Sequence, residues 1–449
     1  MKIISSKKKT IILCLACCAI FFEAFDVSVV NLSLTTIAAG FHLSLADAQW
    51  IQTIYLVSFG SFLLLGGRLV DAYGHKKIYL AGMGIFGAAS AFAFLSASLP
   101  PLLLIRGLQG FGAALAMPAG IAMLSAYFGE GKERNTAFGI FGSFAALGFA
   151  MGLALGGIIT AYVDWHWIFS INVPAFILIL FTGILIPNDA PAGVGMPAYT
   201  SSLWLIASLI LLSYATHELP LLQWKGIAGI GIALVSIYAL LRYDRKTKAP
   251  FFNENIFNPA ALKAQLCSVL LGAGFLSFVF IATLALSQEF NLDSKTIGLV
   301  LFPFSIVSAL VSKYLLPLLF ARTGVVNTTG IAFTMLFIGS ALLLITLEFH
   351  CLPLLVIAIA LVNSLGIAIA YPALTILSLT GVKKENQGTA AGMQSSLYTI
   401  GTSIGISITG LFFKSFSQVP GNLPLFAPAI FIMLLPGAAI VILKTRALH

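Results

Sequence analysis

Charge is what this sequence has least of. Asp, Glu, Lys and Arg together make up 9% of 449 residues, where a soluble domain carries about a quarter. With 59% hydrophobic residues and a mean hydropathy of +1.02, a water-soluble globular fold is excluded. Ligating residues are also sparse. The six His do not gather at metal spacing, and Cys14-x-x-Cys17, the one pair among five Cys with a metal or redox spacing, has no partner ligands near it. Cys14, Cys17 and Cys18 share one apolar run, and Cys267 and Cys351 stand far off, so neither a metal centre nor a disulfide framework is expected. There is no Gly-rich phosphate loop, which argues against an ATP-driven pump, and no cofactor is expected. Strand-like alternation is missing too, which excludes a β-barrel.

What remains is a series of apolar runs longer than about 18 residues, enough to cross roughly 30 Å of hydrocarbon as helix. Helices satisfy their own backbone, as lipid demands. The expected fold is an all-α polytopic membrane protein with fourteen transmembrane helices. Six are predicted near residues 11–38, 48–66, 78–98, 101–125, 136–162 and 167–187. A Pro/Gly-rich break over 187–197 precedes two more, near 201–217 and 226–242, and a basic linker to Lys263 follows. The last six lie near 264–288, 297–320, 326–346, 352–379, 388–413 and 424–443. This divides the chain into a six-helix half (1–187), a linker with two extra helices (188–263) and a second six-helix half (264–449). Lys7-Lys8-Lys9 before an apolar run is like a signal peptide, but the run is too long for one.

The net charge of +9 follows topology and does not point to nucleic acid. Nineteen of the 24 Lys and Arg fall on loops assigned to one side, among them Lys7, Lys76, Lys77, Arg134, Arg242, Lys263, Arg322, Lys383 and Lys444. Lys225, Lys295 and Lys414 fall on the other, and Arg106 and Lys313 within helices. By the positive-inside rule both termini are cytoplasmic. The expected setting is the inner (plasma) membrane, with the lipid bilayer as partner and a monomer as the working form.

The candidate functional residues are polar groups placed in lipid. Glu23 and Asp26 lie mid-way along the first helix, where a carboxylate costs roughly 2.5–3.5 kcal/mol. Three residues apart, they sit within about 60° of each other around the axis. Such carboxyls can carry a proton or attract a cationic substrate. Arg106, in the fourth helix, needs a carboxylate or carbonyl partner. Gln394, Ser395, Tyr398, Thr399, Thr402 and Ser403 form a polar stripe, expected to line a cavity. Gly139, Gly142, Gly148, Gly152, Gly156 and Gly157 in the fifth helix, echoed by Gly401 and Gly405, let backbones approach closely. They are expected to form a hinge or seal between the halves. Lys313 is expected to snorkel. The dense polar stretch Gly66 to Lys77 is expected to be a cytoplasmic loop of about ten residues acting as a latch. A weak second copy, ending at Arg322 and Gly324, has Ala321 where the acid would be.

Together these residues resemble the major facilitator superfamily. Gly67-Arg68-Leu69-Val70-Asp71-Ala72-Tyr73-Gly74-His75-Lys76-Lys77 resembles its signature between helices two and three. Phe25 to Asn31 is similar to the first-helix motif of its fourteen-helix drug:proton antiporter branch, and Trp165 to Pro174 to that branch's entry into helix six. Arg106 to Ala114, with Gln109, resembles the helix-four motif of proton-coupled members. The resemblance implies a latch in which Asp71 sits near the start of the eleventh helix, around Gly388, with Arg134 available to pair with it. A carboxylate at a helix N-terminus is favoured by about 0.3–1 kcal/mol. The chain departs from the pattern where Gly152 is followed by Leu153 instead of Pro, where Thr35 replaces Pro and His166 replaces Arg, and where Glu23 adds an acid.

The function expected is proton-coupled export of small hydrophobic or amphiphilic molecules by alternating access, with protons and a small-molecule substrate as partners. Symport or uniport of a specific metabolite or siderophore is the alternative that Leu153 motivates. A membrane enzyme would need an acid or His cluster at the interface, which the sequence does not show.

Overall fold

The computed structural model describes residues 6–43, 45–187, 199–218, 223–244, 246, 258–292, 294–416 and 423–444. Regular structure there is helical throughout. The first helices are α1 (Ser6–Gly40), α2 (Leu45–Tyr73), α3 (His75–Ala93), α4 (Leu99–Tyr127) and α5 (Lys132–Tyr162). Next come α6 (Trp167–Ser170), α7 (Val173–Gly183), α8 (Tyr199–Glu218) and α9 (Gln223–Asp244). Then α10 (Pro259–Gln288), α11 (Ser294–Leu310), α12 (Leu316–Phe349), α13 (Leu352–Ile359), α14 (Ile367–Leu379), α15 (Gln387–Phe416) and α16 (Leu423–Lys444) complete the chain. Single π-helical turns, Val311–Leu315 and Ala360–Gly366, join α11 to α12 and α13 to α14.

Among the described residues ten helical stretches are long and apolar enough to cross a membrane, so this is a multi-pass membrane protein. The apolar stretches in 167–183 and 203–212 are shorter. One stretch, Pro303–Phe349, runs through the point where two helices are predicted. Its backbone leaves helical geometry at Gly324 (φ 76°, ψ 167°).

The chain forms two compact units. One comprises Met1–Ile210, Ala239–Ile256 and Val382–Ser396; the other Leu211–Tyr238, Phe257–Gly381 and Leu397–His449. In the first, α5 packs along α1, and α4 lies against α2 and α3. The glycines of α5 make the first contact possible. A Cβ on Gly152 would stand 2.6 Å from the Phe25 carbonyl, and one on Gly148 would collide with that of Phe21. The second unit uses the same device: Gly401 and Gly405 of α15 meet the Val269 and Ala273 carbonyls of α10. These glycines therefore join helices inside each unit, where the sequence suggested a seal between halves. Side chains around Gly157, Leu153 and Thr35 lie outside the described residues, as do 188–198 and most of the basic linker.

The polar stretch 66–77 is not a loop. Helix α2 continues to Tyr73 and α3 starts at His75. Gly74 alone breaks them, at φ 91°, a conformation that costs glycine nothing. Extending α2 through the charges places Arg68 and Asp71 on its last turns, fixed by a helix. Gly324, also at positive φ, marks the corresponding bend in the weak second copy.

Candidate functional site

The acids and the arginine predicted to lie in lipid meet inside the first unit. Arg106 Nη1 is 2.6 Å from Asp26 Oδ2, with both side chains almost completely buried. The same nitrogen donates to Gln109 Oε1 at 2.9 Å, and Nε donates to the Ile51 carbonyl at 3.1 Å. Nη2 reaches Gln52 Oε1 at 3.5 Å. Gln109 in turn donates to Ser90 Oγ at 2.9 Å. The guanidinium lies 4.3 Å from the centre of the Tyr55 ring and 5.9 Å from that of Phe169, so a π-face meets its charge. Four helices thus hold one cation, and the glycines of α4 bring them in. A Cβ on Gly110 would stand 2.5 Å from the Tyr55 carbonyl, and one on Gly112 2.7 Å from that of Gly82. Phe25, Val29, Val30, Ile51, Leu102 and Ile168 form the apolar core beside the cluster.

Asp26 is held in a buried ion pair, whereas Glu23 is half-buried and makes no hydrogen bond or ion pair among the described residues. Two carboxyls and one guanidinium carry a net charge of −1, and one proton neutralises them. Asn31 is exposed and takes no part. Ser33 donates to its own helix, at the Val29 carbonyl. Beside Arg106 in sequence, α2 and α4 frame an apolar groove of about 520 Å³ lined by Ile54, Phe62, Leu104, Leu108 and Phe111. There Ser58 Oγ donates to the Gly107 carbonyl.

The second cluster is the predicted latch. Asp71 accepts from the Gly388 and Thr389 backbone N–H groups, each at 2.8 Å, and from the Thr389 hydroxyl. These are the free donors at the start of α15, where a carboxylate is electrostatically favoured. Close backbone contact permits the bonds. A Cβ on Gly388 would stand 2.6 Å from both Asp71 Oδ1 and the Gly67 carbonyl. A Cβ on Gly67 would strike the Gly388 carbonyl, and one on Gly392 that of Leu63. One turn further, Ser396 Oγ donates to the Gly60 carbonyl at 2.9 Å. The result is a backbone seam with a repeat of four residues on α15, met by α2 residues three or four apart.

Other latch residues sit elsewhere. Arg134 does not meet Asp71: it lies 3.7 Å from Glu130 and donates to Ser125 Oγ. Its position near the start of α5 explains this, since Glu130, four residues earlier, is the nearer acid. Lys76 caps α7, donating to the Ile184 and Ile186 carbonyls at 3.0 and 2.6 Å, where a cation is favoured. Lys77 is exposed. Gln394, buried, accepts from Ser395 Oγ in the first unit. Tyr398, in the second, stands edge-on to Tyr371 with centroids 5.0 Å apart. Lys313 is exposed over the Tyr314 ring. In the loop before α6, Asp164 accepts from the His166 backbone N–H at 2.9 Å and from its ring. Those bonds hold the Asp164 carboxyl below its ordinary range.

Sequence reasoning missed Gln52, Tyr55, Ser90 and Thr389. Nothing in their spacing marks them, because each is brought in by a neighbouring helix. The Gly388, Gly392 and Ser396 repeat was legible as three small residues four apart.

Comparison with known proteins decides the family. Residues 16–406 match the sequence profile of the Major Facilitator Superfamily. The chain belongs to that superfamily. As a major facilitator protein it is a transporter, and the family's members being transporters supports a non-enzymatic role. It is 28% identical over 398 residues to multidrug resistance protein Stp of Mycobacterium tuberculosis, covering 87% of this chain and 73% of the relative. It is 30% identical over 402 residues to the lincomycin resistance protein of Streptomyces lincolnensis, covering 86% and 80%. The human organic anion transporter MFSD10 (TETRAN) shares the fold at a TM-score of 0.70 and 14% identity, covering 97% and 99% of the two chains.

Proposed function

We propose that this transporter exports small hydrophobic or amphiphilic molecules in exchange for protons, by alternating access. The observation that carries the reading is the buried cluster of Asp26, Arg106 and Gln109, with Glu23 left over beside it. Arg106 matches one carboxyl. The second has no countercharge, so one proton is the natural counterion. Glu23, half-buried, is the group that exchanges that proton, and Asp26 is held by Arg106 in this state. About 100 mV acting on one charge supplies ~2.3 kcal/mol, enough for a roughly 50-fold substrate gradient. Relatives named for drug resistance support export, and the apolar groove beside Arg106 supports an apolar cargo.

The reading includes fourteen spans arranged as six, two and six, with boundaries at 187 and 263. Both termini lie in the cytoplasm, the chain sits in the plasma membrane, and it works as a monomer. In it the Asp71 contact with the start of α15 is a cytoplasmic latch, which forms when that side is closed and parts when it opens.

Everted vesicles loaded with a pH dye and supplied with ethidium as probe test the coupling. Glu23→Gln should abolish ethidium-dependent proton flux while ethidium still binds. Wild-type flux in that variant would remove Glu23 from the coupling role. Leu153 after Gly152, where the resemblance expects the antiporters' Pro, favours a second reading, import of a specific metabolite or siderophore. A deletion strain that under-accumulates the compound would support it.

A further inference from the structure

We propose that His166 is an external proton site, separate from the Glu23 and Asp26 cluster, and that the proton it holds closes a clasp between two turns of the first unit. The proposal rests on the topology read above, which puts these turns on the outer face. His166 lies in the turn between α5 and α6. Its Nδ1 meets an Asp164 carboxylate oxygen. Its Nε2 lies 3.2 Å from the Ser96 carbonyl, in the turn between α3 and α4. The His166 backbone N–H also donates to Asp164, and these bonds hold that carboxyl below its ordinary range, so Asp164 stays ionised. Both ring nitrogens therefore face oxygens that only accept. A neutral imidazole has one N–H and one lone pair, and would turn the lone pair on one of the two acceptors. The imidazolium donates to both. The ring is 26% exposed, so solvent protons reach it.

When the proton leaves, the remaining N–H stays with the carboxylate, which is the stronger acceptor. The bond lost is the one to Ser96. Asp164 is two residues from His166, so that pair is local, whereas the Ser96 bond spans two turns. The clasp is thus shut in acid and released as the pH rises through the range, about 5 to 8, in which imidazoles change charge. Arginine would donate to both acceptors at every pH; histidine makes the bond conditional. The ring stacks on Trp165, centroids 3.6 Å apart. Trp165 in turn meets Phe41 beyond the end of α1 at 5.0 Å, and a Cβ on Gly40 would stand 2.7 Å from its Nε1. Phe94, just past α3, stands edge-on to His166 at 6.1 Å. Three helix ends therefore converge on this ring. Of the titratable groups they bring, Asp164 touches it, Tyr162 and His42 are exposed, and the turn 94–98 has none.

The test uses the full chain with its five cysteines replaced by Ser and one of two reporters in the α3–α4 turn. Ser96→Cys is buried, at 4% exposure, and keeps the backbone carbonyl that His166 uses. Ser98→Cys is exposed. N-ethylmaleimide labelling of the purified protein is timed at pH 5.5 and pH 8, and the Ser96→Cys rate is divided by the Ser98→Cys rate, which cancels the titration of the thiol. The ratio should rise several-fold from pH 5.5 to pH 8. His166→Arg should keep it low at both, and His166→Ala should keep it high at both. A wild-type ratio equal at the two pH values would overturn the proposal, as would a pH dependence that survives in His166→Arg. So would a pH dependence that disappears in His350→Gln, which removes the other histidine–carboxylate pair, His350 Nδ1 to Glu289 Oε2 at 3.0 Å. A membrane-impermeant maleimide tests the topology by itself. Ser98→Cys should label in intact cells; labelling only in opened cells would refute the topology, and the external proton with it, whatever the ratio in the purified protein.

Discussion

Asp26→Asn puts the buried cluster to its sharpest test. The substitution keeps the shape of the side chain and removes the charge opposite Arg106 Nη1, 2.6 Å away. Arginine cannot shed its proton in a protein, so the variant retains a permanent cation among four helices. Removing one partner of such a pair costs about 3–5 kcal/mol. The remaining bonds, to the Ile51 carbonyl and Gln109, are neutral and recover little of this. Arg106→Gln should cost a similar amount, by stranding Asp26. In the double variant neither charge is left, and two amides can bond each other. The losses should therefore not add: the pair should be at least about 3 kcal/mol more stable than the sum of the single effects, a factor of roughly 150 in the folding equilibrium. Unfolding of the purified protein in mixed micelles of dodecyl maltoside and increasing SDS gives all four stabilities. Additive losses would show that the two charges do not meet in the membrane protein, and the geometry given for the cluster would be wrong.

Asp71→Asn leaves at least one donor at the start of α15 without its carboxylate. Losing one charge-assisted bond costs about 1.5–3 kcal/mol, so maleimide labelling of a Ser396→Cys reporter in the α2–α15 seam should rise by about tenfold or more. Arg134→Gln, remote from Asp71, should leave that rate unchanged. Gly152→Val would drive a branched side chain into the Phe25 carbonyl and Ser28. Overpacking of this kind costs about 1–3 kcal/mol, and the variant should denature at lower SDS, whereas Gly231→Ala, with open space around it, should not. The Asp164 carboxyl is held below its ordinary range by His166. Its contribution is thus complete at neutral pH and disappears only as pH falls through the lowered folded value, below about 4. Asp164→Asn should lower the melting temperature at pH 7, and the gap from wild type should close in stronger acid; a gap that persists there would refute the assignment.

Composition and run length alone determined that this is a multi-pass helical membrane protein, because lipid accepts only a backbone that satisfies itself. The sequence also singled out Glu23, Asp26 and Arg106, since an ionisable group in hydrocarbon is costly wherever it sits. It singled out Asp71 and Gly388 as well, through the motif between helices two and three. It could not show that Arg106 selects Asp26 over Glu23, that Gln52, Tyr55 and Ser90 complete the cage, or that Arg134 turns to Glu130. It misread 66–77 as a loop because charge and glycine are the usual marks of one, whereas a single residue, Gly74, makes the turn. It read the α5 glycines as a joint between halves because a small-residue stripe says that a backbone comes close and not whose. Those choices belong to the tertiary structure, because helices packed at backbone contact decide which side chains share a partner, and that proximity has no trace in spacing along one chain.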